Sequence, residues 1–334
     1  MQESISATSP AEGLQTPPGV QVDIIEDFLS SQPDGDQPSQ PDLFVVTDMA
    51  NDWPVKDDMS SMEFPIFALT KRADTRVRTY SRAGKVVKII PSVVGSATVF
   101  DKDLLIYAIS QIVKASEQGA PVSRRIKIKV HSFLVGTRRS TGGASYTRVV
   151  DTCRRLKGTT IETNVKTTEE EKTNGFSLID DYKVTQRTKG GEGALELELT
   201  ISDWLYRAAV AYDILTLHPD YFLLSQALER RLYELARKHC GDKAYWKCSV
   251  EILKDKCGST QKMKYFVDEL RNLSKDNGMP DYRLAIDDSV KPYQVVFFSK
   301  DSKKVMAEVN RTGQMEWFGR LLQACLPRAA RAAA

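Results

Sequence analysis

Histidine is nearly absent from this chain. The three present, His131, His218 and His239, are too scattered to build locally the paired-histidine metal site that rolling-circle nicking enzymes use. Cysteine is scarce and unpaired: Cys153, Cys240, Cys248, Cys257 and Cys325 are odd in number and never form a C-x-x-C pair. That excludes a disulfide framework and fits free thiols in a reducing cytoplasm. His239 and Cys240, followed by Cys248 and Cys257, raise the idea of zinc. The two-residue knuckle spacing is missing, however, and buried structural cysteine is the simpler reading.

A Walker A loop is also missing, since Gly84-Lys85 falls in a hairpin turn without the upstream glycine. No apolar run approaches the roughly 18 residues of a membrane span. No basic residue precedes Lys56, so a secretory signal is not expected. Glu169–Glu171 falls in a loop between strands and reads as solvated. Neither catalytic residues, nor a metal site, nor a cofactor is expected, and the chain reads as a non-enzyme.

Charge, by contrast, is present and unevenly spread. Residues 1–64 hold 13 acidic side chains and one basic one, a net of −12, whereas the remainder carries 46 Lys/Arg against 31 Asp/Glu, a net of +15. An acidic front on a basic body is the asymmetry of a nucleic-acid binder, although an acidic tail on an ordinary solvated surface would look similar. Residues 1–42 are rich in Ser, Pro, Gln, Gly and Asp and are expected to be disordered, with 22–30 (VDIIEDFLS) as a transient turn or docking peptide.

From Leu43 the composition turns globular. RVRTY (76–80) and KVVKII (85–90) read as a hairpin. Residues 101–119 read as a helix, with Asp101 as an acidic N-cap, apolar residues at Leu104, Leu105, Ala108, Ile109 and Ile112, and a stop at Gly119. A short strand (124–130), a short helix (131–137) and a longer helix (143–158) follow, then strand patterns in TTIETNV, GFSLIDDYKVTQR and ALELELT. The second half repeats the order: a helix at 225–241, a strand YWKCS, a short helix VEILKDKCG, a longer helix at 260–278 and a hairpin from DYRLAI and YQVVFF. The apolar faces of the two longer helices, Tyr146, Val149, Val150, Cys153, Leu156 and Met263, Phe266, Val267, Leu270, Leu273, match pairwise at a constant offset of 117 residues. A duplicated unit is the consequence.

Helix, strand, short helix, longer helix, hairpin is the order of a winged helix, in which the longer helix presents its polar face to a DNA major groove. The fold class expected is α+β, two tandem winged-helix domains with a disordered acidic N-terminal arm. The divisions are an arm at 1–42, a first domain with its N-terminal hairpin at 43–210, a second at 211–300, and a tail with one short helix (around Met315–Leu322) at 301–334.

In the first unit the candidate DNA contacts are Ser145, Thr147, Arg148, Arg154 and Arg155, with Arg138 and Arg139 just before. In the second they are Gln261, Lys262, Lys264, Tyr265 and Arg271. Lys166, Lys183 and Arg187 belong to the strands that would form a wing. Arginine can bond guanine bidentately and glutamine can pair with adenine, while Ser, Thr and Lys suit phosphates. The same spacing also allows Arg148, Asp151 and Arg155 to form ion pairs along a solvated helix face, and the residues alone leave that open.

Several phrases resemble the plasmid replication initiator protein A family: VKDDMSSMEFPIFAL (55–69), IIPSVVGSATVFDKDLLIY (89–107), GFSLIDDY (175–182) and LERRLYELARKHCG (228–241). The likeness runs from about Leu43 to Ser299. It implies an initiator that binds repeated origin sequences on double-stranded plasmid DNA and recruits the host initiator and helicase. It also implies a pair of winged helices whose first module serves as a dimerisation surface, and so a homodimer. A transcriptional repressor acting on its own gene is the rival within the binding class, and a nicking enzyme the rival outside it. Gln40-Pro41-Asp42-Leu43-Phe44 is similar to the pentapeptide that docks on a sliding clamp, with Gln40, Leu43 and Phe44 as the contacts. Alternatively, Leu43 and Phe44 begin the first strand of the fold.

Overall fold

The computed structural model describes residues 44–45, 53–82, 85–166, 171–186 and 195–325. The expected disordered arm, residues 1–42, therefore lies outside the described residues, and the first described strand follows it. That strand, β1 (Phe44–Val45), pairs in parallel with β5 (Arg125–Lys129).

Each half is built around a buried helix. In the first half this is α2 (Lys102–Glu117), which comes after the short helix α1 (Met59–Glu63), lies under the strand β2 (Val55–Asp58) and is buried on nearly every side from Lys102 to Val113. An amphipathic stripe alone would leave one flank wet; here the polar flank also meets protein. After it come β5, α3 (Val130–Gly136) and α4 (Gly143–Gly158). The strands β8 (Ile179–Gln186) and β9 (Leu195–Ile201) then form an antiparallel ribbon, and β9 pairs with β5.

The second half has α6 (Ala227–His239), β11 (Tyr245–Ser249), α7 (Val250–Cys257), α8 (Met263–Asp276) and a ribbon of β12 (Tyr282–Asp287) and β13 (Gln294–Ser299). Its strand β13 pairs with β11, so the sheet order is β11-β13-β12. Element order and sheet closure thus repeat between the halves.

Two features depart from the sequence reading. GFSLIDDYKVTQR is not one strand but two, β7 (Glu171–Ser177) and β8, in different sheets. The adjacent side chains Leu178 and Ile179 are both fully buried. A continuous strand would send them to opposite faces, so the chain bends at Leu178. The ribbon of β6 (Thr160–Lys166) and β7 then joins the hairpin β3 (Arg78–Arg82) and β4 (Lys85–Ile90) in a sheet ordered β3-β4-β6-β7. The stretch expected to be a tail with one short helix carries two, α9 (Ser302–Thr312) and α10 (Met315–Ala324). They cover Ala285, Val296 and Phe298 on the outer face of the β12–β13 ribbon with Val305, Val309, Phe318 and Leu321.

A single apolar core runs through both halves. The chain between them crosses back over the first: after α5 (Asp203–Val210), β10 (Ile214–Leu217) pairs antiparallel with β2. At this junction lies a buried charge cluster. Lys102 Nζ donates to Asp57 Oδ2 at 2.6 Å and lies 3.2 Å from Glu234 Oε2, and Glu234 also accepts from Tyr221 Oη at 2.7 Å and Arg231 at 3.2 Å. Arg230 donates to Asp103 at 2.6 Å. The halves are joined by ion pairs as well as by apolar packing.

Candidate nucleic-acid interface

The helix α4 starts at Gly143 and ends at Gly158, where a Cβ would come 2.5 Å from Ser92 Oγ, so only glycine lets the helix end close on that loop. Thr147 and Arg148 are exposed on its outer side. Arg154 is exposed and pairs with Asp151 at 2.9 Å, one turn away.

Three candidates of this unit are not free. Ser145 is buried, its Oγ 2.9 Å from Ser140 Oγ. Arg139 donates to the Phe100 carbonyl and, at 2.8 Å, to Asp103. Arg155 is three-quarters buried and bonds Asp101 through Nε at 2.8 Å and Nη2 at 2.6 Å. Asp101 accordingly caps no N–H of α2. Its carboxylate accepts from the Thr98 N–H and hydroxyl, from Thr152 and from Arg155. These side chains hold α4 in place and are corrected from surface contacts to supports. Arg138, with φ of 56°, remains exposed at the turn after α3.

In α8, Lys262 stands at the N-cap position, and Lys264 and Tyr265 are exposed. Gln261 donates to Glu269 at 2.9 Å and Arg271 pairs with Asp268 at 3.3 Å. The ion-pair reading left open for Arg148, Asp151 and Arg155 takes another form: Asp151 pairs with Arg154 and Arg155 with Asp101, and Arg271 has a like pair with Asp268. Arg154 and Arg271 are about half exposed, and such pairs exchange readily for an anionic ligand because each is worth little in water. On the ribbons, Lys183 is exposed on β8 opposite Glu198, Lys166 ends β6 opposite Glu171, and Arg187 lies outside the described residues.

The first two turns of α4 and the segment just before α8 line adjoining concavities, while Lys264 and Arg271 of α8 line another with Lys291. Between the adjoining two runs the loop 69–77, with Lys71, Arg72 and Arg76 exposed. One concavity is lined by Lys71, Arg72 and Ser225 together with Thr260 and Gln261 just before α8. The adjoining one is lined by Lys71, Arg72 and Ser225 together with Ser140 and Arg148 of the first half. The sequence reading missed this loop, although T-K-R-A-D-T-R-V-R (70–78) places four basic residues within nine. Chemically the surface is a row of hydrogen-bond donors and cations around two helix starts, a complement to phosphate.

Elsewhere the chemistry is quiet. Burial pushes the thiols of Cys153, Cys248 and Cys257 up to about 12 and that of Cys240 to about 11, so they stay protonated at neutral pH. Among the described residues no group of His, Cys, Asp and Glu is placed to hold a metal ion, and no helix is long and apolar enough to cross a membrane. Of the sliding-clamp contacts, Gln40 and Leu43 lie outside the described residues, and Phe44 belongs to β1.

A Wigglesworthia glossinidia brevipalpis protein assigned to replication is 36% identical over 243 residues, covering 72% of this chain and 88% of the relative. The crystal structure of domains 2 and 3 of RctB superposes with a TM-score of 0.52 at 15% identity, over 70% of this chain and 94% of that one. A second structure of those RctB domains gives 0.49 at 14% identity. The sequence of residues 56–284 matches the family described as Replication initiator protein A, and the chain belongs to that family.

Proposed function

We propose that the two halves are winged-helix modules which grip double-stranded origin DNA on one side, with α4 and α8 each in a major groove. In this reading the chain starts plasmid replication in the cytoplasm by binding repeated sequences and presenting the host initiator and helicase to them. It works by binding, without turnover. The observation that carries the reading is the pair of adjoining concavities, sharing Lys71 and Arg72, that reach the first turns of α4 and the segment leading into α8. The family and the repeated helix-strand-helix-helix-ribbon order support it. Phosphate neutralisation would supply affinity, and the two helices would supply sequence choice.

The test is a footprint, with base-substitution scanning, on the DNA that the pure protein retains from fragments of its own replicon. Arg148→Ala and Arg271→Ala should each cost about 1–3 kcal/mol, and each should relax specificity in a different half-site, the two centres roughly 34 Å apart. Losses from both variants at the same base pairs would show that one module alone reads DNA. The protein should neither nick supercoiled plasmid nor hydrolyse ATP, and activity in either assay would restore the enzyme reading. Loss of plasmid maintenance in the Arg148→Ala and Arg271→Ala replicons, rather than only a rise in the protein's own transcript, separates an initiator from a repressor.

A further inference from the structure

The surface between α4 and α8 carries a ridge, and the ridge has an apolar tip. Lys71 and Arg72 stand at its basic edge, Lys71 Nζ lying 5.0 Å from the centre of the Phe100 ring. Beside them the turn at residues 91–95 raises Val93, 94% exposed, and Val94, 43% exposed. The turn is not a loose loop. Gly95 N–H donates to Ser92 O at 2.9 Å and Ser96 N–H to Asp74 O at 2.8 Å. Gly95 has φ of +96°, and a Cβ there would come 2.9 Å from Ala73 Cα, so the valine turn is pressed against the basic loop. Ser92 meets the end of α4 at Gly158. Arg78, 8% exposed, ties the base of the loop to the carbonyls of Pro65 and Ile66 and to Ser96 Oγ.

A braced turn thus holds Val93 out in water, with Val94 about half exposed beside it. Val94 lines the concavity that also holds Lys71, Arg72 and Arg148. Two helices in successive major grooves on one side of a duplex leave a minor groove facing the protein between them. That groove is about 6 Å wide and strongly negative where narrow, and it accepts arginine and lysine together with apolar wedges that unstack a base step.

We infer that this ridge is a minor-groove site: Lys71 and Arg72 enter the groove between the two helices, and Val93 presses on a base step and bends the DNA. The inference rests on the winged-helix reading above and adds to it a second class of contact, one that senses the minor-groove edge of the bases.

The experiment uses the full chain and a 30-base-pair duplex (about three helical turns) that the protein selects from a random-sequence pool, dye-labelled at both ends. Replacing the central adenines by 2,6-diaminopurine adds an amino group to the minor groove alone. It should weaken wild-type binding at least about fivefold, and Lys71→Ala/Arg72→Ala should abolish that discrimination. Val93→Ser should keep most of the affinity and lose end-to-end energy transfer, the sign of a straighter duplex. These side chains are exposed, and unchanged melting curves would verify that the variants fold.

The outcomes separate the two claims. If Arg148→Ala and Arg271→Ala lose binding but the ridge variants change neither discrimination nor bend, the minor-groove site falls and the winged-helix reading stands. If Lys71→Ala/Arg72→Ala weakens plain and diaminopurine duplexes equally, the ridge touches phosphate only and the inference is overturned. If Arg148→Ala and Arg271→Ala bind as wild type, the reading beneath it fails first.

Discussion

Arg155 of α4 and Asp101 at the start of α2 meet through two parallel hydrogen bonds of 2.8 and 2.6 Å, and Asp101 is almost completely buried. This pair fixes the orientation of the whole long helix against the core helix of its module. Arg148, two turns earlier on the same face, is exposed and lines one concavity with Arg155 and Asp101 but makes no bond to that carboxylate.

The two arginines should therefore respond differently to removal. Arg155→Ala strips a buried carboxylate of its cation while leaving its bonds to Thr98 and Thr152, and it should lower unfolding stability by about 1–3 kcal/mol. Arg148→Ala should leave stability within about 0.5 kcal/mol and act on DNA affinity alone. Urea unfolding of the two variants decides it, and equal stabilities would sink the assignment of Arg155 as a support.

The C-terminal pair of helices should be required for the second module. Trp317 Nε1 donates to Asp287 at 2.8 Å, and its ring packs edge-on to Tyr245 and Phe318. Asn277, which caps α8, donates to the Cys325 carbonyl at 2.7 Å. Trp317→Ala should cost about 3 kcal/mol. A chain ended after residue 300 bares Val296 and Phe298 and should aggregate on expression. A soluble truncated chain with native melting would contradict this role.

How much of this was legible in the sequence varies with where the partner comes from. The bounds of α4 and the offset of 117 residues were readable because glycine and apolar spacing are local signals. The fates of Ser145, Arg139 and Arg155 were not. Ser145 is met by Ser140 of the turn before α4, while Asp103 and Asp101 reach Arg139 and Arg155 only once α4 and that turn dock on α2. A helical wheel shows Arg155 as outward until the buried carboxylate meets it. The bend at Leu178 was missed because two successive apolar residues look like any strand interior. Helix α9 was missed because it buries only Val305 and Val309, too narrow a stripe for periodicity to register. The loop bearing Lys71 and Arg72 has no repeat partner in the second half, so the duplication carries no sign of it.

His239 predicts a pH response. Its ring stacks on Trp246 at 4.6 Å, and its Nε2 lies 3.6 Å from Glu63, with Lys256, Lys238 and Arg231 also facing it. Burial, reinforced by Lys256 and only partly opposed by Glu63, drives the imidazole down to about 3. An unfolded imidazole takes up its proton near 6.5 while the folded one does not. The stability contributed is thus complete above about 6.5 and is lost as the pH falls toward 3, at no more than about 1.4 kcal/mol per unit. Burial also pushes Glu63 up, but Lys238 and Lys256 override it and hold the carboxyl at about 2, so Glu63 titrates below the range to be measured. Stability of wild type and His239→Gln at pH 7, 6 and 5 should converge as the pH falls. Parallel curves would show that His239 is not the group responsible.

Lys102 gives the last prediction, that the two halves unfold together. It is 1% exposed and lies between Asp57 of the first half and Glu234 of the second, with Arg231 as the second cation on Glu234. Lys102→Met keeps the volume and removes the charge, which leaves Asp57 without a cation and Glu234 with Arg231 alone, out of water. Breaking such a cluster from one side costs about 3–5 kcal/mol. Burial, the largest influence on Asp57, pushes its carboxyl up to about 8 even against Lys102, so the neutral isostere in Asp57→Asn should cost only about 1 kcal/mol. The double variant should then recover part of the loss, with a coupling above about 1 kcal/mol in the cycle. Because β2, α2 and α6 share this cluster and one apolar core, wild type should unfold in a single transition by both calorimetry and urea. Lys102→Met should split or broaden that transition. A full-stability Lys102→Met protein, or a wild type that already unfolds in two separated steps, would show that the modules are held together by something other than this buried lysine.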